Sequence, residues 1–356
     1  MTDEQKPKRR VRYKGTHPKS FQEKYKELSA DPSLIEKLHA KGKTPAGTHR
    51  PIMVSEILEI LDPRPGETGV DATLGYGGHS TELLARIAPD DRAKKGRLVA
   101  FDRDPIEIVK TTERLKGKGF AEVVFTPVLS NYANLEKEIT RLGLRGKVDF
   151  LLADLGLSSM QIDDPSRGFT FKRPGPLDLR MNPSQGEPAS ALLAKASEAD
   201  LARWLEENSD EPRAKQLAKA IVDRRKKLPI LTTTDLADTI RDWMKKLGPN
   251  VREKEGELPL KRAFQALRIE TNQEFSSLDA FLEALPKVLA PGARVAILSF
   301  HSGEDRRVKK ALQKLHRDGY LEEISPEALR PTPEEQRSNT RSKPAKLRWG
   351  RRSHSS

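Results

Sequence analysis

From residue 69 to residue 155 the chain alternates short apolar runs with amphipathic ones, and nothing else in it constrains the fold as tightly. Residues 69–73 (GVDAT), 97–102 (RLVAFD), 122–128 and 148–155 (VDFLLADL) read as strands. Residues 80–87, 105–115 and 131–142 lie between or after them and show helical spacing. Strands and helices taking turns at this interval predict a parallel α/β sheet. An amphipathic helix is expected ahead of the first strand, where Ile52, Val54, Ile57, Leu58, Ile60 and Leu61 recur up to a stop at Asp62 and Pro63.

The alternation ends near residue 164. Residues 165–265 are rich in Ala, Leu, Lys, Arg and Glu and show no strand pattern. Helices are expected at 197–207, 212–227 and 234–247, the last with a cap at Thr232. Strand character returns at 293–300 (ARVAILSF), after a helix at 277–289 and a Pro-Gly turn. The chain therefore divides into an α/β domain, residues 46–164 and 266–356, and a helical insertion, residues 165–265. Residues 326–345 read as a long loop, and residues 1–45 as a basic, mobile N-terminal arm.

Charge placement narrows the partners. The net charge of +13 is carried near the two ends: residues 1–50 hold an excess of seven, residues 301–356 an excess of six, and the 250 between are neutral. Basic arms on a neutral body suit a polyanion such as a nucleic acid, because Lys and Arg displace counterions from phosphates. Solubility alone is the plainer explanation. The chain has no cysteine, which excludes disulfides, thiolate zinc sites and cysteine nucleophiles and fits a cytoplasmic setting. No run approaches 18 apolar residues, so no membrane span is expected, and the N-terminus lacks the apolar stretch of a secretory signal.

The first strand leads into DATLGYGGHS, from Asp71 to Ser80. Glycines there let backbone amides approach a ligand at a helix N-terminus. The G-x-G-x-x-G pattern of dinucleotide loops is incomplete, since Ser80 stands at its last position. An acid followed by G-x-G-G suits a ligand without a pyrophosphate, such as S-adenosylmethionine, although a structural turn would look similar. The second strand ends at Asp102, placed to grip ribose hydroxyls. The fourth ends at Asp154, where it can orient an amine nucleophile and take its proton, or merely cap the strand. The acid-Pro-Pro-aromatic motif of DNA amino-methyltransferases is absent here.

Taken in order, HRPIMVSEIL, DATLGYGGHS, AFDRDP, LLADLGLSSMQIDDPSRGFTF, GPLDLRM, FQALRIETNQE and SFHSGEDRRVKK resemble the bacterial RsmH (MraW) family over some 300 residues. The resemblance implies a Rossmann-like class I S-adenosylmethionine methyltransferase fold with an inserted helical substrate domain. It implies N4-methylation of a cytosine, position 1402, in the decoding region of 16S rRNA within the small ribosomal subunit. By position, Gly77, Gly78, His79, Asp102, Tyr132, Asp154 and Gln161 would bind the cofactor, with Asp154 also catalytic. Tyr132 stands where the family usually has phenylalanine, and Gly303 where it usually has leucine. The first 45 residues have no counterpart in the compact family core.

Among further residues, Arg167, Phe169 and Phe171 interleave cations with aromatics and are candidates for holding a splayed base. They can equally plug the join between domain and insertion. His301 is a candidate substrate contact, with a structural role favoured. Arg306 belongs to a basic cluster that either meets phosphate or is solvated. Trp204 and Trp243 are expected in the core. This chemistry requires no metal, and no ligand cluster for one is evident in the sequence.

Overall fold

The computed structural model describes residues 51–89, 95–120 and 122–354. The expected N-terminal arm, residues 1–45, lies outside them. Among the described residues seven strands form one sheet: β1 (Thr68–Asp71), β2 (Arg97–Asp102), β3 (Phe125–Leu129), β4 (Val148–Asp154), β5 (Leu289–Ser299), β6 (Leu321–Ile324) and β7 (Lys346–Arg352). Their order is β3-β2-β1-β4-β5-β7-β6. The first five are parallel, and β7 runs antiparallel between β5 and β6. This is the Rossmann-like class I arrangement. From β1 the chain winds outward to β3 and then returns to β1's other side as β4. That reversal opens a crevice at the carboxyl ends of β1 and β4.

The strands bury both faces. Leu98, Ala100, Phe150, Leu152, Ala296 and Leu298 point to one side, toward α1 (Val54–Leu61), α2 (Gly78–Ile87) and α3 (Pro105–Gly117). Val99, Phe101, Leu151, Ala153, Val295 and Ile297 point to the other, toward α4 (Leu135–Arg141) and two later helices. The period-2 alternation inside a continuous apolar run is what a strand covered on both faces requires. Gly69 allows the closest approach: a Cβ there would sit 2.0 Å from the Phe150 ring.

Beyond β4 come a short α5 (Ser159–Asp163) and then six helices: α6 (Ala189–Lys195), α7 (Glu198–Ser209), α8 (Ala214–Arg225), α9 (Thr233–Lys245), α10 (Pro249–Glu255) and α11 (Leu258–Asn272). Leu201, Leu217, Ile221, Leu236, Ile240 and Leu260 are among the residues of a core separate from the two beside the sheet, and Trp204 and Trp243 join it. Thr232 and Asp235 form a capping box on α9. Residue 265 lies inside α11, so the helical layer is continuous through that position. α12 (Glu274–Val288) returns the chain to the sheet.

Several expectations are corrected. The stretch at 131–142 splits into a 3-10 turn, Tyr132–Asn134, and α4, because the Asn131 side chain accepts the Ala133 N–H and tightens the first turn. The Pro-Gly turn lies within β5, where Gly292 takes φ 73°. The basic C-terminal segment is no arm. It supplies α13 (Ser302–Arg317), β6, α14 (Pro333–Ser338) and β7. Its cations fold in because Asp305 neutralises two of them, Arg348 at 2.6 Å and Lys346 at 2.7 Å. Residues 326–345 are likewise pinned rather than free: Glu335 accepts the Met53 N–H at 3.0 Å, and Arg341 pairs with Asp163 at 2.8 Å.

Candidate active site

The loop from Asp71 to Ser80 crosses the carboxyl end of β1. Gly75 and Gly77 have φ of 47° and 76°, in the left-handed region. α3 holds the loop from below, through Thr111 Oγ1 to the Gly75 carbonyl at 2.6 Å and Arg114 to the Tyr76 carbonyl at 2.5 Å. A Cβ on Gly77 would strike Thr111 at 2.7 Å, and one on Gly78 would strike Pro51 at 2.4 Å. α2 begins at Gly78 with no side-chain cap, so its first N–H groups remain for a ligand.

Asp102 ends β2 and accepts N–H bonds from Gly75 at 2.9 Å and Asp104 at 2.8 Å, one on each oxygen. Each oxygen keeps a lone pair for a ribose hydroxyl. Burial pushes its carboxyl up to about 7, against the pull of those two N–H bonds. Hydroxyl donors favour the ionised acid, so S-adenosylmethionine binding should weaken as pH falls through about 7 and level off above it. The dissociation constant, followed by calorimetry across that range, should show this dependence in the wild type. It should vanish in Asp102→Asn, and a wild-type constant that stays flat would refute the assignment.

Asp154 ends β4 with its carboxylate about a third exposed (29%). Its N–H donates to Thr73 Oγ1 at 2.7 Å, which ties β4 to the glycine loop. His79 faces it, with Nδ1 3.4 Å from Asp154 Oδ2. The other ring nitrogen, Nε2, donates to the Ile52 carbonyl at 3.0 Å. Beneath both lies Asp71, 1% exposed, accepting from Ser80 Oγ at 2.6 Å and the Thr73 N–H at 3.0 Å. Burial raises the Asp71 carboxyl above the usual range despite those bonds. Two acids and one imidazole at the mouth of a buried loop suit a cationic ligand.

The other expected cofactor residues are close by in the fold but differently engaged. Tyr132 follows β3 and meets Phe281 edge to face, centroids 5.4 Å apart, and burial pushes its phenol up. Gln161 closes the capping box of α5 with Ser158 and donates Nε2 to Asp104 Oδ2 at 2.8 Å.

The candidate substrate residues are not gathered on one open surface. Arg167 is buried and donates to Asp104 Oδ2 at 2.8 Å and to the Met181 carbonyl at 2.8 Å. Phe169 is buried in the helical layer's core, and Phe171 packs on it beside Phe264 at 5.3 Å. The sequence left open whether these rings stack a base or plug the join; Phe169 is buried in the helical core and Phe171 is partly buried against it. His301 caps α13, accepting the Glu304 N–H at 3.4 Å. Arg306 pairs with Asp210 at 3.0 Å. The space over Gly303, where leucine is usual in the family pattern, is taken by Phe275, whose Cζ would lie 2.5 Å from a Cβ there.

Sequence reasoning missed Asp104. Fully buried, it caps α3 through the Ile106 and Glu107 N–H groups and also receives Gln161 and Arg167. An acid ahead of a proline looks like an ordinary helix cap, and its third and fourth partners are 57 and 63 residues away. Glu274, His301 and Glu304 bring ligand atoms within 4.8 Å of one another, as a cation would need. Both Glu274 oxygens are instead held by Arg268 at 2.8 Å, and Glu304 accepts the Phe300 N–H.

Residues 46–353 match the model of the MraW methylase family. A protein of Alkaliphilus metalliredigens named ribosomal RNA small subunit methyltransferase H 2 is 50% identical, over 97% of this chain and 98% of its own. One of Lachnoclostridium phytofermentans, ribosomal RNA small subunit methyltransferase H 1, is 49% identical over 98% and 94%. The family model begins at residue 46, and the alignments with these two relatives extend into residues 1–45. A solved S-adenosylmethionine-dependent O-methyltransferase of Thermotoga maritima overlays at TM-score 0.36 with 13% identity, over 90% of this chain and 72% of that one. That is too distant to align residues by.

Proposed function

The chain belongs to the MraW methylase family, and from that premise we propose that it methylates N4 of cytosine 1402 in the decoding region of 16S rRNA. The methyl donor is S-adenosylmethionine, which supplies a methyl group activated on a sulfonium sulfur. The observation that carries the reading is Asp154: its main-chain N–H is tied to the glycine loop, and its carboxylate, about a third exposed, faces His79.

Each residue then has a task. Backbone at Gly77 and Gly78, with His79 beside it, receives the donor, and Asp102 holds its ribose through the lone pairs left on its oxygens. Tyr132 flanks the adenine, and Gln161 keeps one amide hydrogen for the donor while the other is spent on Asp104. Methyl transfer is an in-line displacement, so the protein mainly positions the amine and removes its water. Asp154 orients the N4 hydrogens by accepting one, and takes a proton as the new C–N bond forms. The target base must leave its stack, which costs a few kcal/mol. The helical layer, with the basic residues of its neighbours, supplies the binding surface that offsets this.

The test is direct. Small subunits from a strain lacking the modification are incubated with the protein and methyl-labelled S-adenosylmethionine, and the rRNA is digested for mass spectrometry. Label is expected on N4 of that one cytosine. Label on another position would correct the target, and none on any rRNA despite measurable donor binding would overturn the rRNA assignment.

A further inference from the structure

Amine methylation releases one proton per turnover, and a buried cleft needs a place for it. The environment of His79 is built in a way that binding alone does not require. Both ring nitrogens face atoms that only accept: the Ile52 carbonyl at Nε2, 3.0 Å away, and Asp154 Oδ2 at Nδ1, 3.4 Å away. A carbonyl has no proton to give, so Nε2 keeps its hydrogen in every state. Only the proton at Nδ1 can come and go, and it sits opposite the carboxylate that faces the reacting amine. With the residue 8% exposed, bulk water has little access to Nδ1. A neutral ring would set its lone pair against a carboxylate, and one shared proton removes that conflict.

We propose that His79 is the terminal proton acceptor of the transfer, receiving at Nδ1 the proton that the amine gives to Asp154; this rests on the amine-methylation reading above. The steps balance. The amine's lone pair forms the C–N bond, and the S–C bonding pair stays on sulfur. One N–H bond of the methylated amine breaks as its proton moves to Asp154, and then from Oδ2 to Nδ1. Asp154 ends as it began, a carboxylate, and His79 ends as an imidazolium. The net charge of the buried cluster plus its ligands is unchanged, because the positive charge lost at the sulfonium reappears on the ring. In a site of low polarity a step that conserves total charge avoids a large solvation cost. The proton leaves to solvent once products depart.

The charged groups that face the ring are Asp154 from β4 and Asp71 from β1, with Ser80 of its own helix held on Asp71. Burial disfavours the imidazolium, but Asp154, the Ile52 carbonyl and Asp71 together hold the ring above the ordinary histidine value. A ring with that affinity takes the proton readily. It must be neutral at the start of each cycle, so the transfer rate rises with pH through its ionisation.

Two measurements decide the matter. In nitrogen-15 spectra of the donor-free protein, Nε2 should stay protonated throughout while Nδ1 titrates with a midpoint above 6.5. In Asp154→Asn that midpoint should drop by about one unit or more. His79→Gln retains a donor for the Ile52 carbonyl and lacks Nδ1. Its single-turnover rate, measured with donor saturating, should fall about 10²-fold and lose the rising pH limb, with the thermal midpoint close to wild type. A ring that does not titrate, or whose midpoint ignores Asp154→Asn, overturns the proposal whether or not His79→Gln folds. So does a folded His79→Gln that turns over within about threefold of wild type with the same limb. If the wild type labels no rRNA, the amine reading fails on its own account, and the titration still decides the coupling.

Discussion

Asp154→Asn is expected to slow methyl transfer about 10²–10⁴-fold in single turnover while the protein remains folded. Asparagine keeps the shape of the side chain and can still accept a hydrogen bond. The Asp154 main-chain N–H bond to Thr73 Oγ1, which fixes β4 to the glycine loop, does not involve the side chain and survives. What is lost is the negative charge and the ability to take a proton. The rate of label transfer to rRNA, measured with donor and subunit saturating, isolates that loss from binding. A variant with near wild-type rate would reduce Asp154 to a strand-end residue that happens to face the cleft.

Asp104→Ala has the largest expected effect on stability. Its carboxylate is fully buried and lies 2.8 Å from the buried guanidinium of Arg167. Removing one partner of such a pair strands the other, at about 3–5 kcal/mol, and losing the α3 cap adds about 1 kcal/mol. The damage should also be directional. Arg167 holds the Met181 carbonyl, while Asn272 holds the Met181 N–H and the Leu179 carbonyl. The wall from Arg167 to Met181 therefore hangs from Asp104 and α11. Urea unfolding gives the first quantity, and donor and RNA affinities compared give the second, with RNA binding expected to suffer more. Unchanged stability would mean that Arg167 finds another anion, and the strut would have to be abandoned.

The parallel half of the sheet was legible because its strands are buried on both faces. LVAF and FLLA are apolar runs that solvent cannot tolerate at a surface, and glycines or acids mark their ends. β6 and β7 were not legible. LEEI and KLRWGRR carry charge at or near every other position, and Arg348 is buried only because Asp305, 43 residues earlier, lies beside it. α11 was not among the expected helices; Pro259 stands in its first turn, where proline is compatible with a helix. At the site, Asp71, Gly77, Asp102 and Asp154 were readable from their places at strand ends and in the first turn. The engagement of Arg167 and Gln161 was not, since both depend on Asp104, and no local pattern announces a partner some sixty residues off.

In β4 and β5, Phe150 pairs with Arg294. The two strands are side by side, yet the chain between them carries the entire helical layer, which has its own apolar core. Closing a loop costs free energy that grows only with the logarithm of its length, so about a hundred added residues raise the cost of joining these strands by only about 1 kcal/mol. If the helical core condenses first, even that is reduced. The crossover thus behaves as a socket: what it carries can be enlarged, trimmed or exchanged with little consequence for the sheet or for the glycine loop and the acids at its carboxyl edge.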